Sequence, residues 1–479
     1  MTLPNRPIGA GLAGAGLWPA HVPRPQAPGI PAEVRPTNGN GTPEPVQEIS
    51  EARMPWHGVK WTLVYVGLLG YILTITTYRV PIGDVSMVLA LLGLLIQKDK
   101  FRVPGLLVGL GVFIAWCVVG YAITDEPAAV FARLQVVLKL WLIALVAANA
   151  LRSRAQIRFF IVFWLACFAF YPVRGSLFNY YIYHETVFGR AAWNYIFSNP
   201  NDLAAYCILQ LAMALGLLSL EKKGPVKMGT ILGLAVVPLV ILLTRSRGAF
   251  LGFAAFILLS VVGQRKRGKA AIITAVLAAL VITIAPPDVL NRVRGLENVQ
   301  GTENLQEADK EGSAYQRYEI WKVARTMIRD HPIAGVGLGA YPIYHNQYSL
   351  RSQFDPTAQG YRDTHSTYLN LTAETGFVGM LIYIISYITA LVQIDKVRRR
   401  VKKLLPLTAH TLYVYEVGTI GFFVAATFGS MAHVSFLVLH VIVTWALAEM
   451  AKREMEAVTG RRWDTGQLLR PGTASPARV

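Results

Sequence analysis

The chain has 479 residues, 53% of them hydrophobic and only 15% charged, and a mean hydropathy of +0.41. That balance excludes a water-soluble domain of this length and points to an integral membrane protein. The net charge of +18 would suit a nucleic-acid binder if it lay on one soluble face, but Lys and Arg fall in short clusters between hydrophobic runs, which is how a topology signal is distributed.

Residues 1–52 are rich in Pro, Gly, Ala and polar residues without an apolar period, and they read as a disordered cytoplasmic tail. The stretch GAGLAGAGLWPA imitates a signal peptide, yet it is weakly apolar and runs directly into HVPRPQAPG. Apolar segments follow near 59–78, 80–96, 105–124, 128–149, 157–177, 202–220, 228–244, 248–263, 270–286, 366–394, 412–431 and 433–450. Their lengths suit helices crossing the hydrocarbon core rather than the short alternating strands of a β-barrel. The expected fold is all-α and polytopic, with about twelve membrane helices.

The connectors alternate in character. Lys98 to Arg102, Arg152 to Arg158, Lys222 to Lys227, Arg265 to Lys269 and Lys396 to Lys403 form one basic set, which the positive-inside rule places in the cytoplasm together with both termini. The organisation read from this is helices 1–9 in 53–286, a long partly helical loop on the outer side in 287–364, helices 10–12 in 365–450, and a cytoplasmic tail in 451–479. The 178–201 connector falls on the same outer side as the long loop. Cys117, Cys167 and Cys207 all lie in apolar segments and read as packing residues.

Three stretches on the outer side carry groups suited to chemistry. TRSRGAFLG places Arg245 and Arg247 in a very short outer connector, where Arg is disfavoured and costly. A guanidinium pair beside the N-terminus of the next helix suits an anionic ligand such as a phosphate. The alternative is that both side chains snorkel to lipid headgroups. In the helix starting near Ser313, Arg317, Trp321, Ala324 and Ile328 share one face while Lys322, Arg325 and Arg329 gather on another. Arg317 therefore points with the apolar stripe, toward a site formed by the spans beneath, or it lies at the stripe's edge with only its stem buried.

Pro332 ends that helix. Gly335, Gly337 and Gly339 follow without a preceding strand, so they read as a tight turn, with close backbone approach to a ligand as the second use. His365 stands at the start of the next hydrophobic helix, with Asp363 or Thr364 available as its N-cap. The positive helix end would keep the imidazole neutral and able to act as a general base; an interfacial His without a catalytic task is the plain alternative. Glu374 lies about 180° around the helix from His365, and reads as a partner for a buried Arg or a kink group near Gly376. Asn199, Asn201 and Asp202 read as the cap of the sixth helix, ligand contact being a second reading. No Walker motif, H-E-x-x-H, Cys/His metal spacing or G-x-S-x-G elbow occurs, so nucleotide hydrolysis and zinc chemistry lack support and no metal or cofactor is expected.

TRSRGAFLG, the R-x-x-x-W helix leading into HPIAGVGLGAYP, and HSTYLNLTAETGFVG resemble, in that order, the O-antigen ligase and polymerase family of bacterial inner-membrane proteins. The resemblance covers roughly residues 60–450 in architecture. It implies metal-independent, inverting transfer of a glycan from an undecaprenyl-diphosphate-linked donor to an acceptor hydroxyl on the periplasmic face. The acceptor would be a lipid A core for a ligase or a growing glycan for a polymerase. On the same resemblance, Arg247 and Arg317 would hold the donor diphosphate and His365 would activate the acceptor. Ser366 follows His365 where the family's commoner pair is His-Asn. Arg245, and then Arg190 and Arg174, are added as outward-facing cations of the site. A transporter or flippase of a lipid-linked or anionic substrate is the alternative of another class; it would favour related halves, and no convincing internal repeat is present.

Overall fold

The structure is a computed structural model and describes residues 58–77, 80, 82–221, 224–263, 268 and 313–464. Leu63–Thr77 (α1), Gly83–Ile96 (α2), Gly105–Ile123 (α3), Pro127–Ala150 (α4), Arg154–Tyr183 (α5), Pro200–Leu220 (α6), Pro225–Leu243 (α7) and Arg247–Val262 (α8) come first. Ser313–Asp330 (α9) and Tyr341–Ser349 (α10) follow, and Thr367–Val401 (α11), Pro406–Ala425 (α12) and Ser435–Thr459 (α13) come last. The protein is an all-α polytopic membrane protein. Among the described residues, eight helices are long and apolar enough to cross a membrane, and α1, α2 and α8 are shorter apolar helices.

These eleven helices coincide with eleven of the expected apolar segments. The remaining one, 270–286, lies outside the described residues, as do 287–312 and the terminal tails 1–52 and 465–479. At the C-terminal end, α13 continues past residue 450 to Thr459.

Local signals account for the helix starts. Proline opens α4, α6, α7 and α12, where its missing N–H and fixed φ cost nothing. Ser153 and Gln156 form a capping box at α5. Within α5 the register loosens into π-turns at Ala169–Val173, which contains Pro172, and at Asn179–Tyr183.

The interior is built around α6 and α13, whose apolar windows are 83% and 78% buried, against 33% and 28% for the lipid-facing α4 and α7. Helix α12 packs against α6 and α8, and α11 packs against α3. Several cations of the basic connectors are ion-paired on that face: Arg154 with Glu454, Arg158 with Glu221, and Arg398 with Glu416 at 3.2 Å. They staple the helix ends together.

On the opposite face, α9 lies over α11. It buries Ile320, Val323, Ala324, Met327 and Ile328, while Arg325 and Arg329 are exposed. The apolar stripe read from the 3.6-residue period is thus the packed side.

Below it, α11 is kinked at Gly376, which has φ 67° and ψ −179°. Gly335 and Gly337, both with left-handed φ, bring the turn after α9 against the kink. Val336 N–H then donates to the Ala373 carbonyl (2.9 Å), Gly337 N–H to the Glu374 carbonyl (2.9 Å), and Phe377 N–H to the Pro332 carbonyl (2.8 Å). A Cβ on Gly376 would overlap the Ile333 carbonyl. The glycine-rich run is therefore a tight turn whose close approach is to a helix backbone. Glu374 stands just before the kink, its backbone carbonyl held by Gly337 and its carboxylate accepting from Asn370 Nδ2 at 3.3 Å.

Candidate active site

The 178–201 connector closes on itself in a two-residue turn. Val187 and Arg190 exchange backbone hydrogen bonds of 3.0 and 3.1 Å, and Phe188 and Gly189 between them both take left-handed φ, as primed hairpin turns require. The turn is stitched to the α7–α8 connector: Ala191 N–H donates to the Leu243 carbonyl at 2.9 Å, and Arg190 Nε donates to the Thr244 carbonyl at 2.7 Å. Arg190 Nη2 also donates to Asn201 Oδ1 at 2.7 Å, so the first turn of α6 aims this guanidinium. Asn199 is the residue that caps α6, accepting from Asn201 N–H at 2.9 Å.

Arg245 has a left-handed φ of 52° and donates to the Tyr180 hydroxyl at 3.4 Å, with its guanidinium against Gly189. Arg247 is the first residue of α8, which Ser246 caps by accepting from Ala249 N–H at 3.3 Å. Gly248 packs directly under Phe428. Phe428 in turn stacks on Trp321 of α9 at 6.3 Å between ring centroids, and Trp321 Nε1 donates to the Thr364 carbonyl at 2.8 Å. The three sequence stretches therefore meet through one aromatic pair.

His365 is partly buried and has a φ of 49°. The cap of α11 is Ser366, whose hydroxyl accepts from Leu369 N–H at 3.5 Å, and not Asp363 or Thr364 as local propensity predicts. Those two side chains are engaged elsewhere: Asp363 accepts from Ser430 at 2.6 Å, and Thr364 Oγ1 donates to the Ser366 carbonyl at 2.9 Å. His365 consequently sits outside the first helical turn. Burial is the main cause that lowers its imidazole pKa below the ordinary value; Arg317 adds to it, Arg190 and Arg362 act in the same direction, and Asp363 opposes them. The result is a neutral ring in cationic surroundings, a base that can accept a proton.

Arg245 thus lies against the turn that carries Arg190, Arg247 connects to α9 through the Gly248–Phe428–Trp321 contact, and Trp321 is tied to the residue before His365, whose charged form Arg317 and Arg190 disfavour. Arg174 is not part of this group. It is exposed on α5, 4.5 Å over the Phe178 ring, and lines an apolar cavity of about 470 Å³ between α5, α6 and α7. Sequence reasoning did not find Phe428 or Ser430, which lie in an uncharged connector, nor the part of Asn201 in aiming Arg190. All five non-glycine residues with left-handed φ among the described ones, His184, Phe188, Tyr195, Arg245 and His365, lie in these connectors. Such strain gathers where the surroundings over-determine a backbone, as at functional sites.

Residues 231–384 match the family model described as O-antigen ligase. The match covers about a third of the chain and supports the resemblance to the O-antigen ligase/polymerase family over those residues. The ligase-model match takes in Arg245, Arg247, Arg317 and His365, while Arg174 and Arg190 precede it. It supports an O-antigen ligase/polymerase-type function, which implies lipid-linked glycan substrates in a membrane environment. No curated protein matches the chain.

Proposed function

We propose that the protein transfers a glycan from an undecaprenyl-diphosphate-linked donor to an acceptor hydroxyl at the periplasmic face of the bacterial inner membrane. In this reading Arg247 and Arg317 hold the diphosphate, with Arg245 and Arg190 beside them. His365 removes the acceptor proton as the hydroxyl oxygen attacks the anomeric carbon from the side opposite the diphosphate. The carbon–oxygen bond to the diphosphate breaks, inverting the anomeric centre and releasing the lipid diphosphate. No nucleotide enters, because the glycosyl diphosphate is already activated.

The observation that carries this reading is the junction of the three stretches: Trp321 of α9 stacks on Phe428 over Gly248, beside Arg247, and donates to the Thr364 carbonyl next to His365. Cations positioned in a water-poor site stabilise the charge that develops on the departing diphosphate more strongly than they would in bulk water. The apolar cavity lined by Arg174 offers the isoprenoid chain a path along the bundle. The test uses purified full-length protein with lipid-linked repeat units. Longer lipid-linked chains identify a polymerase; product that forms only when a lipid A core is added identifies a ligase; passage of the intact donor across a vesicle with its linkage unchanged would reject both.

A further inference from the structure

Beyond residue 384, where the family match ends, the chain returns to the site. The turn Ala426–Phe428 and the residues after it link α12 to α13, and this connector carries no acidic or basic side chain before His433. It nevertheless supplies most of the hydrogen bonds that grip the strand around His365. Ser430 Oγ donates to Asp363 Oδ1 at 2.6 Å and lies 3.0 Å from Thr364 Oγ1. On the other side of His365, Thr367 Oγ1 donates to the Gly429 carbonyl at 2.6 Å and accepts from Met431 N–H at 2.8 Å.

His365 between these anchors holds a left-handed φ of 49°. A non-glycine residue in that region is strained and persists only where its surroundings fix it. The fixing is here visible atom by atom: residues 429–431 hold both flanks, and Trp321 holds the Thr364 carbonyl at 2.8 Å. A hydroxyl has one proton to give. That of Ser430 goes to the carboxylate, its strongest acceptor in reach, so Ser430 fixes the position of a negative charge beside the imidazole.

We propose that Ser430 is a positioning residue for glycan transfer, holding the Asp363 carboxylate so that His365 faces the acceptor hydroxyl and its imidazolium is stabilised once the proton has moved. The proposal rests on the assignment of His365 as the base. The charged groups acting on His365 are Arg317 from α9, Arg190 from the 187–190 turn, and Arg362 and Asp363 of its own strand. Of these, Asp363 is the one that supports the charged ring. Freeing it leaves burial and three cations unopposed, which weakens the base.

The test measures transfer from a polyprenyl-diphosphate-linked glycan by full-length protein reconstituted in vesicles, comparing wild type with Ser430→Ala, Ser430→Thr, Asp363→Asn and the Ser430→Ala/Asp363→Asn double variant. Ser430→Ala is expected to lower kcat about tenfold or more with the donor KM little changed, and to move the acid limb of the kcat profile to lower pH. Ser430→Thr, which keeps the hydroxyl, should recover most of the rate. The double variant should be no slower than Asp363→Asn, since both remove the same interaction. A Ser430→Ala protein that shows the wild-type kcat and pH profile per folded molecule overturns the proposal, and so does full additivity in the double variant. If Ser430→Ala lowers the yield of folded protein, Asp363→Asn carries the same pH test. His365→Ala in the same assay separates the two levels: an inactive His365→Ala beside a wild-type-like Ser430→Ala removes only the positioning role, whereas a fully active His365→Ala removes the base and the proposal with it.

Discussion

Substituting Gly376 by Ala tests the kink that joins α11 to the turn after α9. With φ 67° and ψ −179°, this position lies in backbone space that is almost closed to residues with a Cβ, at a cost of about 1–3 kcal/mol. A Cβ would also overlap the Ile333 carbonyl, so the turn must withdraw. Withdrawal strains the hydrogen bonds from Val336, Gly337 and Phe377, of 2.9, 2.9 and 2.8 Å, each contributing about 0.5–1.5 kcal/mol. The combined loss is about 3–7 kcal/mol, a large part of a typical folding free energy of about 5–15 kcal/mol. Detergent-solubilised Gly376→Ala should therefore lose its monodisperse chromatographic peak at a clearly lower temperature than wild type at a fixed heating rate. Gly120→Ala is the control: this α3 glycine has open space around its Cβ position, and Ala there should be neutral or stabilising by up to about 1 kcal/mol. Equal thermal midpoints for Gly376→Ala and wild type would refute the account of the kink.

Trp321→Phe keeps an aromatic ring against Phe428 but removes the N–H that donates to the Thr364 carbonyl. Leaving that acceptor unmet costs about 1–3 kcal/mol, and transfer should slow about tenfold, read as initial rates at saturating donor. Because the His365 pKa lies below its ordinary value of 6.5, the ring stays neutral as pH falls until that lower value is passed. Acylation of His365 by diethyl pyrocarbonate, followed by mass spectrometry, should report a midpoint below 6.5. Arg317→Gln removes a cation that lowers the pKa, so it should move the midpoint up; a downward move or none contradicts the electrostatics. The linked stability term has the matching sign, with folding penalised as pH falls from the unfolded value through the lowered folded one. On the opposite face, Glu221→Gln removes the carboxylate that pairs with the buried Arg158. Weakening this buried ion pair should lower the thermal midpoint.

The long-period features of the fold were legible. Apolar run length located α1 to α8 and α11 to α13, and helix angle separated the buried stripe of α9 from Arg325 and Arg329. Arg317 was likewise distinguishable, because it shares that stripe's direction. Contacts distant in sequence were harder to read. Local propensity offers Asp363 and Thr364 as caps for α11, yet both are drawn to Ser430 and the strand itself, so Ser366 takes the cap and His365 a left-handed φ. Phe428 and Ser430 carry no charge and fit no motif, although one joins Gly248 to Trp321 and the other holds Asp363. Arg190 was visible as an outward cation, but its direction is set by Thr244 and Asn201, which the sequence gives no reason to pair with it. Arg174 had the same sequence credentials and lies instead on an apolar cavity.

The central claim is that a neutral His365 accepts the acceptor proton while Arg247 and Arg317 hold the leaving diphosphate. Its most direct measurement is glycan transfer from a polyprenyl-diphosphate-linked donor by purified wild type and by the single variants His365→Ala, Arg317→Ala and Arg247→Ala, each normalised to folded protein. The account predicts that His365→Ala abolishes transfer while donor binding is retained, and that both Arg variants abolish transfer through weakened donor binding. Full activity of His365→Ala together with Arg317→Ala would contradict it.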